Sequence, residues 1–458
     1  MHSDAQLGGG PGFGAGGLRE VSSPLRPAIT RTMLTVFVIG DVLGAGIYAL
    51  VGEVAGEVGG AIWASFLFAG VLAVFTAASY AELVTKYPQA AGAALYVNRA
   101  FRNPFFTFVV AFAVMSSGLA SAATLATAFG GDYLSQFVEL PQVLVGLVFI
   151  VVISLINFRG IRESVTLNLG LTTIEVFGLL LVVVIGLAFL FDGGGDPGRA
   201  FEFKSGETVP LAILGGAAVA FFALIGFEDS VNVAEETKEP SRIFPSALFA
   251  GLATAGVIYL LVTIIASMVV PTDDLSASDG ALLLVVDQGP LGLSTKFFAA
   301  IALFALTNGA LINLIMASRL VYGMSRQGIV PGVLGRVHEA RQTPWVAIIF
   351  TASIAAALVV LGDLETLAQT TVLLLLFVFV FVNISVLVLR SDSVDHEHFH
   401  APTALPVIGV AICIGLIVHK GFDDPSQFLY AGGLVALGAV LALITRLTSG
   451  PPKPVETP

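Results

Sequence analysis

Apolar runs of about 20 residues follow one another from residue 31 to near the C-terminal end, separated by short polar joints. A helix of that length crosses the hydrocarbon layer of a bilayer, whereas barrel strands are half as long and alternate in polarity. The pattern predicts an all-α polytopic membrane protein of twelve transmembrane helices, over 31–55, 61–85, 105–130, 141–158, 165–191, 211–236, 243–270, 295–325, 344–361, 366–389, 404–420 and 427–446. Residues 1–30 are Gly-rich and polar, and such a segment cannot bury enough apolar surface to offset its ordering entropy. We expect a disordered N-terminal tail over 1–30, too polar to be a signal peptide, a membrane domain over 31–447 and a second disordered tail over 448–458.

Two spans contain flaws. Gly40-Asp41-Val42-Leu43-Gly44-Ala45-Gly46-Ile47-Tyr48 places three glycines and a carboxylate inside the first. Each interior Gly costs a helix roughly 1 kcal/mol against Ala, and a carboxylate at mid-bilayer costs about 2.5–3.5 kcal/mol. Ala223-Leu224-Ile225-Gly226-Phe227-Glu228-Asp229 weakens the sixth. Backbone leaves helical geometry at membrane depth only where protein buries it or a watery cavity receives it, so two such breaks suggest one shared site.

Charge orients the chain. It is 56% hydrophobic and 12% charged with a mean hydropathy of +0.93, too little charged surface for a soluble globule of 458 residues. On the span count only Arg199, Lys204, Lys296 and Lys420 of its 21 basic residues fall away from the N-terminal side. The positive-inside rule then puts both termini in the cytoplasm of a cell-membrane protein. Carboxylates such as Asp192, Asp279, Asp363 and Asp423 fall in the outer joints and account for much of the net charge of -11, which gives no support to nucleic-acid binding. The single cysteine, Cys413, lies in an apolar segment and reads as a small core residue, with no disulfide framework or structural zinc site implied.

Four stretches carry a family resemblance. Leu43-Gly44-Ala45-Gly46-Ile47-Tyr48 resembles the Ile-Gly-x-Gly-Ile-Phe signature in helix 1 of the amino acid-polyamine-organocation (APC) superfamily of permeases. Ser79-Tyr80-Ala81-Glu82-Leu83 with Tyr87-Pro88-Gln89-Ala90-Ala91-Gly92-Ala93 is similar to the second-helix end and re-entrant loop of that family. Phe221 to Glu228 with Ala234 to Arg242 is similar to its sixth helix and following loop, and Ala317-Ser318-Arg319 to Pro331 to its eighth-helix exit. The resemblance implies two inverted five-helix repeats plus two helices, with broken helices 1 and 6, and a midplane site at the breaks.

A broken helix offers unpaired N–H groups at one half's start and unpaired C=O groups at the other half's end, suited to the carboxylate and the ammonium of an amino acid. By resemblance, N–H groups around Ala45, Gly46 and Ile47 take the carboxylate, and carbonyls of Val42, Phe222 and Ile225 the amine. Gly44, Gly46 and Gly226 let a ligand approach the backbone closely, although isolated glycines in membrane helices more often serve packing. Phe222 lies where the family places an aromatic gate. Asp41, Glu175 and Glu228 are ionisable groups at membrane depth and therefore functional candidates. Asp41 is expected to pair with a cation, either the substrate amine or a coupled ion, with hydrogen bonding inside the protein as the structural alternative. Glu175 departs from the family pattern, because many proton-coupled members carry Lys at the equivalent place. A Glu there could bind a proton or help bind a sodium ion. Glu228 resembles a family carboxylate linking the site to the cytoplasmic side, and structural pairing explains it equally well. Glu82, Glu235 and Glu236 read as partners for Lys86, Lys238 or Arg242.

His396, His398 and His400 alternate along a joint that reads as solvated and flexible. Ser117, Ser121 and Thr124 on the third span and Thr307, Asn308 and Asn313 on the eighth could line a path or simply bond between helices. No nucleotide loop, nucleophile constellation or metal-ligand cluster points to an enzyme, a cofactor or a primary pump. The functional expectation is secondary-active transport of a small amino acid or related amine by alternating access, coupled to a cation, a proton in the first instance. An exchanger, or a non-transporting sensor of the same fold, is the alternative.

Overall fold

The computed structural model describes residues 29–89, 92–159, 165–290, 292–326, 330–338, 341, 343–423, 425 and 427–449. The N-terminal tail up to residue 28 and the C-terminal one from residue 450 lie outside the described residues, as do Ala90 and Ala91 of the proposed re-entrant loop. Ile29, assigned above to the tail, is buried, and its N–H and C=O bond to Glu236 O (2.8 Å) and Lys238 N (3.0 Å).

The described residues form α1 (Arg31–Leu43), α2 (Gly46–Val58), α3 (Ile62–Lys86), α4 (Gly92–Phe101), α5 (Pro104–Ala128), α6 (Gln142–Phe158), α7 (Val165–Phe191), α8 (Val209–Leu224), α9 (Pro240–Val269), α10 (Thr272–Ser276), α11 (Ala281–Asp287), α12 (Thr295–Arg326), α13 (Trp345–Leu361), α14 (Leu364–Leu389), α15 (Ala404–Asp423) and α16 (Gln427–Ser449). Eight are long and apolar enough to cross a membrane, and α1 with α2, bent by 43° at their junction, makes a ninth span. Shorter apolar helices lie at the fourth, ninth and twelfth expected positions: α6, α13 and the Gln427–Leu441 part of α16. Helices α4, α10 and α11 were not expected.

Local chemistry sets the helix ends. Thr30 caps α1 by accepting Met33 N–H, and Asn103 caps α5 by accepting the N–H groups of Phe105 (3.1 Å) and Phe106 (3.2 Å) ahead of Pro104. Asp363 accepts Thr366 N–H at 2.7 Å at the start of α14. The two interruptions fall where the flaws lie. Helix α1 stops at Leu43, and Gly44 adopts φ -42°, ψ -173° before α2 begins at Gly46. Helix α8 stops at Leu224, Ile225 is extended, and Gly226 turns the chain at φ +122°, a conformation L side chains rarely adopt. Tight 3₁₀ turns over Asp229–Glu236 follow.

The broken segments pack on each other in the interior. Helix α1 lies on α7 and α9, and α2 on α8. Helix α3 covers α8 and α9, while α5 contacts α12 and α14. A Cβ on Gly46 would lie 2.7 Å from Ala223 Cα, so the breaks touch backbone to backbone. After α5 the chain widens over Phe129–Tyr133 into a π-type turn that aims the Tyr133 hydroxyl at Tyr48 O (2.7 Å).

Two expectations are corrected at the end of α3. Glu82 pairs not with a neighbour in sequence but with Arg390, whose Nε and Nη2 lie 2.9 and 2.8 Å from its carboxylate oxygens. Lys86 instead bonds to Leu389 O at 2.6 Å. The His-bearing segment is not free in solvent. His396 Nε2 lies 3.1 Å from Thr85 O, while Phe399 N–H and Ala401 N–H donate to Thr85 Oγ1 (3.0 Å) and Glu82 Oε2 (2.9 Å).

Candidate functional site

A cavity of about 150 Å³ opens between the two breaks. Drug-sized sites occupy about 300–1,000 Å³, so this one suits a single small metabolite. From the first break Asp41, Val42, Gly44, Ala45 and Gly46 line it, and from the second Phe222, Ala223, Ile225, Gly226, Glu228 and Asp229. Ser117 and Ser121 of α5 and Asn308 and Asn313 of α12 form the facing wall. Asn313 Nδ2 donates to Ser121 Oγ (3.2 Å) and Gly309 O (2.9 Å), which fixes this wall across two helices.

The helix ends at the cavity have opposite polarity. The start of α2 directs its first N–H groups toward Gly44 and Ala45, the positive end of a helix dipole, while the ends of α1 and α8 carry carbonyls. Two carbonyls assigned to an amine also have partners inside the protein. Phe222 O accepts Ile225 N–H at 3.3 Å, and Val42 O lies 2.5 Å from the Tyr259 hydroxyl. The same hydroxyl lies 2.9 Å from Ala223 O. Tyr259, fully buried on α9, thus joins the first break to the second. A carbonyl has two acceptor directions, so one hydrogen bond leaves capacity for a ligand.

The carboxylates divide into two groups. Asp41, Glu228 and Asp229 line the cavity. Glu228 Oε2 accepts Gly226 N–H at 2.9 Å and so caps the turn it follows. Asp41 Oδ2 is enclosed and has no hydrogen-bond partner among the described residues. Glu175, 1% exposed, stands behind the wall, with Oε1 3.4 Å from Asn308 Nδ2 and Oε2 unpaired among the described residues. Its backbone carbonyl accepts the Tyr48 hydroxyl at 2.9 Å, and Tyr48 O accepts Tyr133, so a buried tyrosine pair braces this region. No Lys, Arg or His is among the described lining residues, and no three His, Cys, Asp or Glu among the described residues group as metal ligands.

Of the residues expected at the site, Asp41, Val42, Gly44, Ala45, Gly46, Phe222, Ile225, Gly226 and Glu228 come together around the cavity. Ile47 is wholly buried and, like Glu175, is not among the described lining residues. Ser117, Ser121, Asn308 and Asn313 line the wall, whereas Thr124 and Thr307 bond to carbonyls of their own helices, Ala120 O (2.9 Å) and Leu303 O (2.6 Å). Tyr259 and Asp229 were not singled out. Asp229 stood in the weakened stretch itself, while Tyr259 had no local signal at all.

Fold and site together define a multi-pass helical membrane protein with a small cavity where two spans break. Residues 29–437 match the amino acid permease family model, and the chain belongs to that family, within the APC superfamily. It is 26% identical over 419 residues to the branched-chain amino acid permease BcaP of Bacillus subtilis, covering 86% of this chain and 88% of that one. It is 30% identical over 365 residues to the vacuolar cationic amino acid transporter 4 of Arabidopsis thaliana, covering 75% and 60% respectively. It is also 26% identical over 419 residues to the human cystine/glutamate transporter, covering 88% and 81%.

Proposed function

We propose that the protein is a secondary-active carrier that moves amino acids or related amines across the cell membrane by alternating access. The observation that carries this reading is the convergence of both helix breaks on one small cavity, where the N–H groups that start α2 meet the carbonyls that end α1 and α8 and the carboxylates beside them. In this reading α6, α13 and α16 complete twelve spans, arranged as two inverted five-helix repeats and two further helices, and both termini face the cytoplasm. N–H groups at Ala45, Gly46 and Ile47 hold the substrate carboxylate. The carbonyls of Val42, Phe222 and Ile225 hold its ammonium, and Phe222 covers the ligand. The relatives are named for branched-chain amino acids, cationic amino acids, and cystine and glutamate. What these cargoes share is the α-amino acid head group, the part that the backbone ends suit.

Coupling falls to Glu175 and Glu228, with a proton as the ion. Glu175 is not among the described lining residues and accepts from Asn308 of the wall, so a substrate in the lined space leaves its carboxylate free to hold the proton. The test is uptake of labelled amino acids into vesicles reconstituted with the purified protein. Accumulation should follow an imposed proton gradient, persist without sodium and be lost in Glu175→Gln. Binding without accumulation or exchange refutes carriage and identifies a sensor, and accumulation that needs sodium alone refutes proton coupling.

A further inference from the structure

The charges around the cavity do not balance. Asp41, Glu228 and Asp229 line it with no basic side chain among the described lining residues. The charged side chains acting on Asp41 are Asp229, Glu228 and Glu175, all of them acidic. Glu228 is tied to the break by Gly226 N–H. Asp41 instead presents an enclosed oxygen that accepts no hydrogen bond from the described residues. Asp229 opens the turn after the break, with its backbone N–H held by Gly226 O at 2.9 Å, so the break itself sets its position. Asn232, one turn further on, also lines the cavity and adds an amide oxygen as a neutral acceptor.

A neutral amino acid brings one ammonium and one carboxylate, a net charge of zero. Its carboxylate is taken by the N–H groups of α2, and its ammonium offsets one carboxylate of the cavity. The remaining acidic groups stay close together in a medium of low dielectric constant, where like charges repel strongly and an unpaired charge is costly. With Glu228 carrying the coupled proton, a ligand with a second positive charge offsets the carboxylate that remains. A metal ion as the second charge would need several converging ligands, and no three acidic, His or Cys side chains group in that way among the described residues. Glu175 lies behind Asn308 and does not compete for the ligand.

We infer that Asp41 and Asp229 form a second cation subsite, and that the cargo is an amino acid whose side chain carries its own ammonium or guanidinium. This rests on the permease reading and narrows its substrate class. The experiment is calorimetric titration of the purified full chain in lipid nanodiscs with L-lysine, L-leucine, L-glutamate and putrescine. Lysine should bind at least about tenfold more tightly than leucine, with glutamate weakest. Asp229→Asn should reduce the lysine-over-leucine ratio about tenfold, and Asp229→Glu should restore most of it. Thermal unfolding verifies that each variant is folded, and Asp41→Asn provides the same ratio from the other carboxylate. Equal affinity for lysine and leucine in the parent protein, or an unchanged ratio in both Asn variants, overturns the subsite. Putrescine binding more tightly than lysine overturns the amino acid class. Leucine uptake into vesicles without any lysine preference removes only this inference, whereas failure of every amino acid to bind or move removes the permease reading itself.

Discussion

Replacing Tyr259 with Phe removes the link between the two breaks without altering either of them. The hydroxyl lies 2.5 Å from Val42 O and 2.9 Å from Ala223 O, on a side chain with no solvent exposure. The ring would keep its edge contact with Phe66, centroids 5.5 Å apart, so packing is conserved. A buried polar group left without its partner costs about 1–3 kcal/mol. Because a hydroxyl has one hydrogen, it donates to one carbonyl at a time, and the loss is one such bond rather than two. We therefore expect Tyr259→Phe to lower stability by about 1–3 kcal/mol in denaturant titrations of the detergent-solubilised protein. The half-saturating substrate concentration for vesicle uptake should also rise, since the spacing of the two backbone ends is no longer fixed. A variant as stable as the parent, with unchanged half-saturation, would refute a clamp at this position.

Gly226→Ala forces a side chain into φ +122° and places its Cβ 2.6 Å from Asp41 O, so substrate binding should fall steeply while α3 and α9 keep their helical signal in hydrogen exchange. Normal affinity in that variant would mean the turn is not required. Glu82→Gln leaves Arg390 without its bidentate partner. Breaking a fully buried pair costs about 3–5 kcal/mol, and with the Arg390 side chain 24% exposed the loss should lie near the lower end, read as a lower unfolding midpoint. Stability equal to that of the parent would show the pair to be dispensable. Burial, and then the neighbouring His400, hold the His398 pKa below its ordinary 6.5. The unfolded segment therefore binds the proton first, and the docked segment is stable above that value and loses stability as pH falls through and below it. The protection factor of the amides over 391–401, taken against the intrinsic exchange rate at each pH, should fall as pH drops below about 6.5, and His398→Gln should flatten that dependence. An equal slope in the variant would assign the titration elsewhere.

Nine of the twelve expected spans were legible because length and apolarity alone identify a membrane helix, and the breaks because glycine and carboxylate contradict it. Gly44, Gly46 and Gly226 could be found by reading along the chain. Tyr259 could not: a tyrosine within the 30 apolar-rich residues of α9 has no neighbour in sequence that marks its hydroxyl as special, and its two acceptors lie 217 and 36 positions away. The partner of Glu82 was missed for the same reason, since nearby Lys86 looks sufficient while Arg390 lies 308 positions on. Helices α10 and α11 were missed because elements of five and seven residues are formed by tertiary contacts rather than by their own propensity. The pinned histidine segment depends on Thr85 and Glu82, which only the folded chain brings beneath it.

The backbone pairing of Ile29 has a mechanical meaning. It ties the start of the first broken segment to the end of the second through Glu236 O and Lys238 N, while Asp41 O presses against Gly226 at the opposite end. Residues 29–43 and 226–238 are thereby yoked at two points about the length of α1 apart. Displacing residues 29–43 alone would therefore break the Ile29 hydrogen bonds at one end and the close backbone contact at Gly226 at the other.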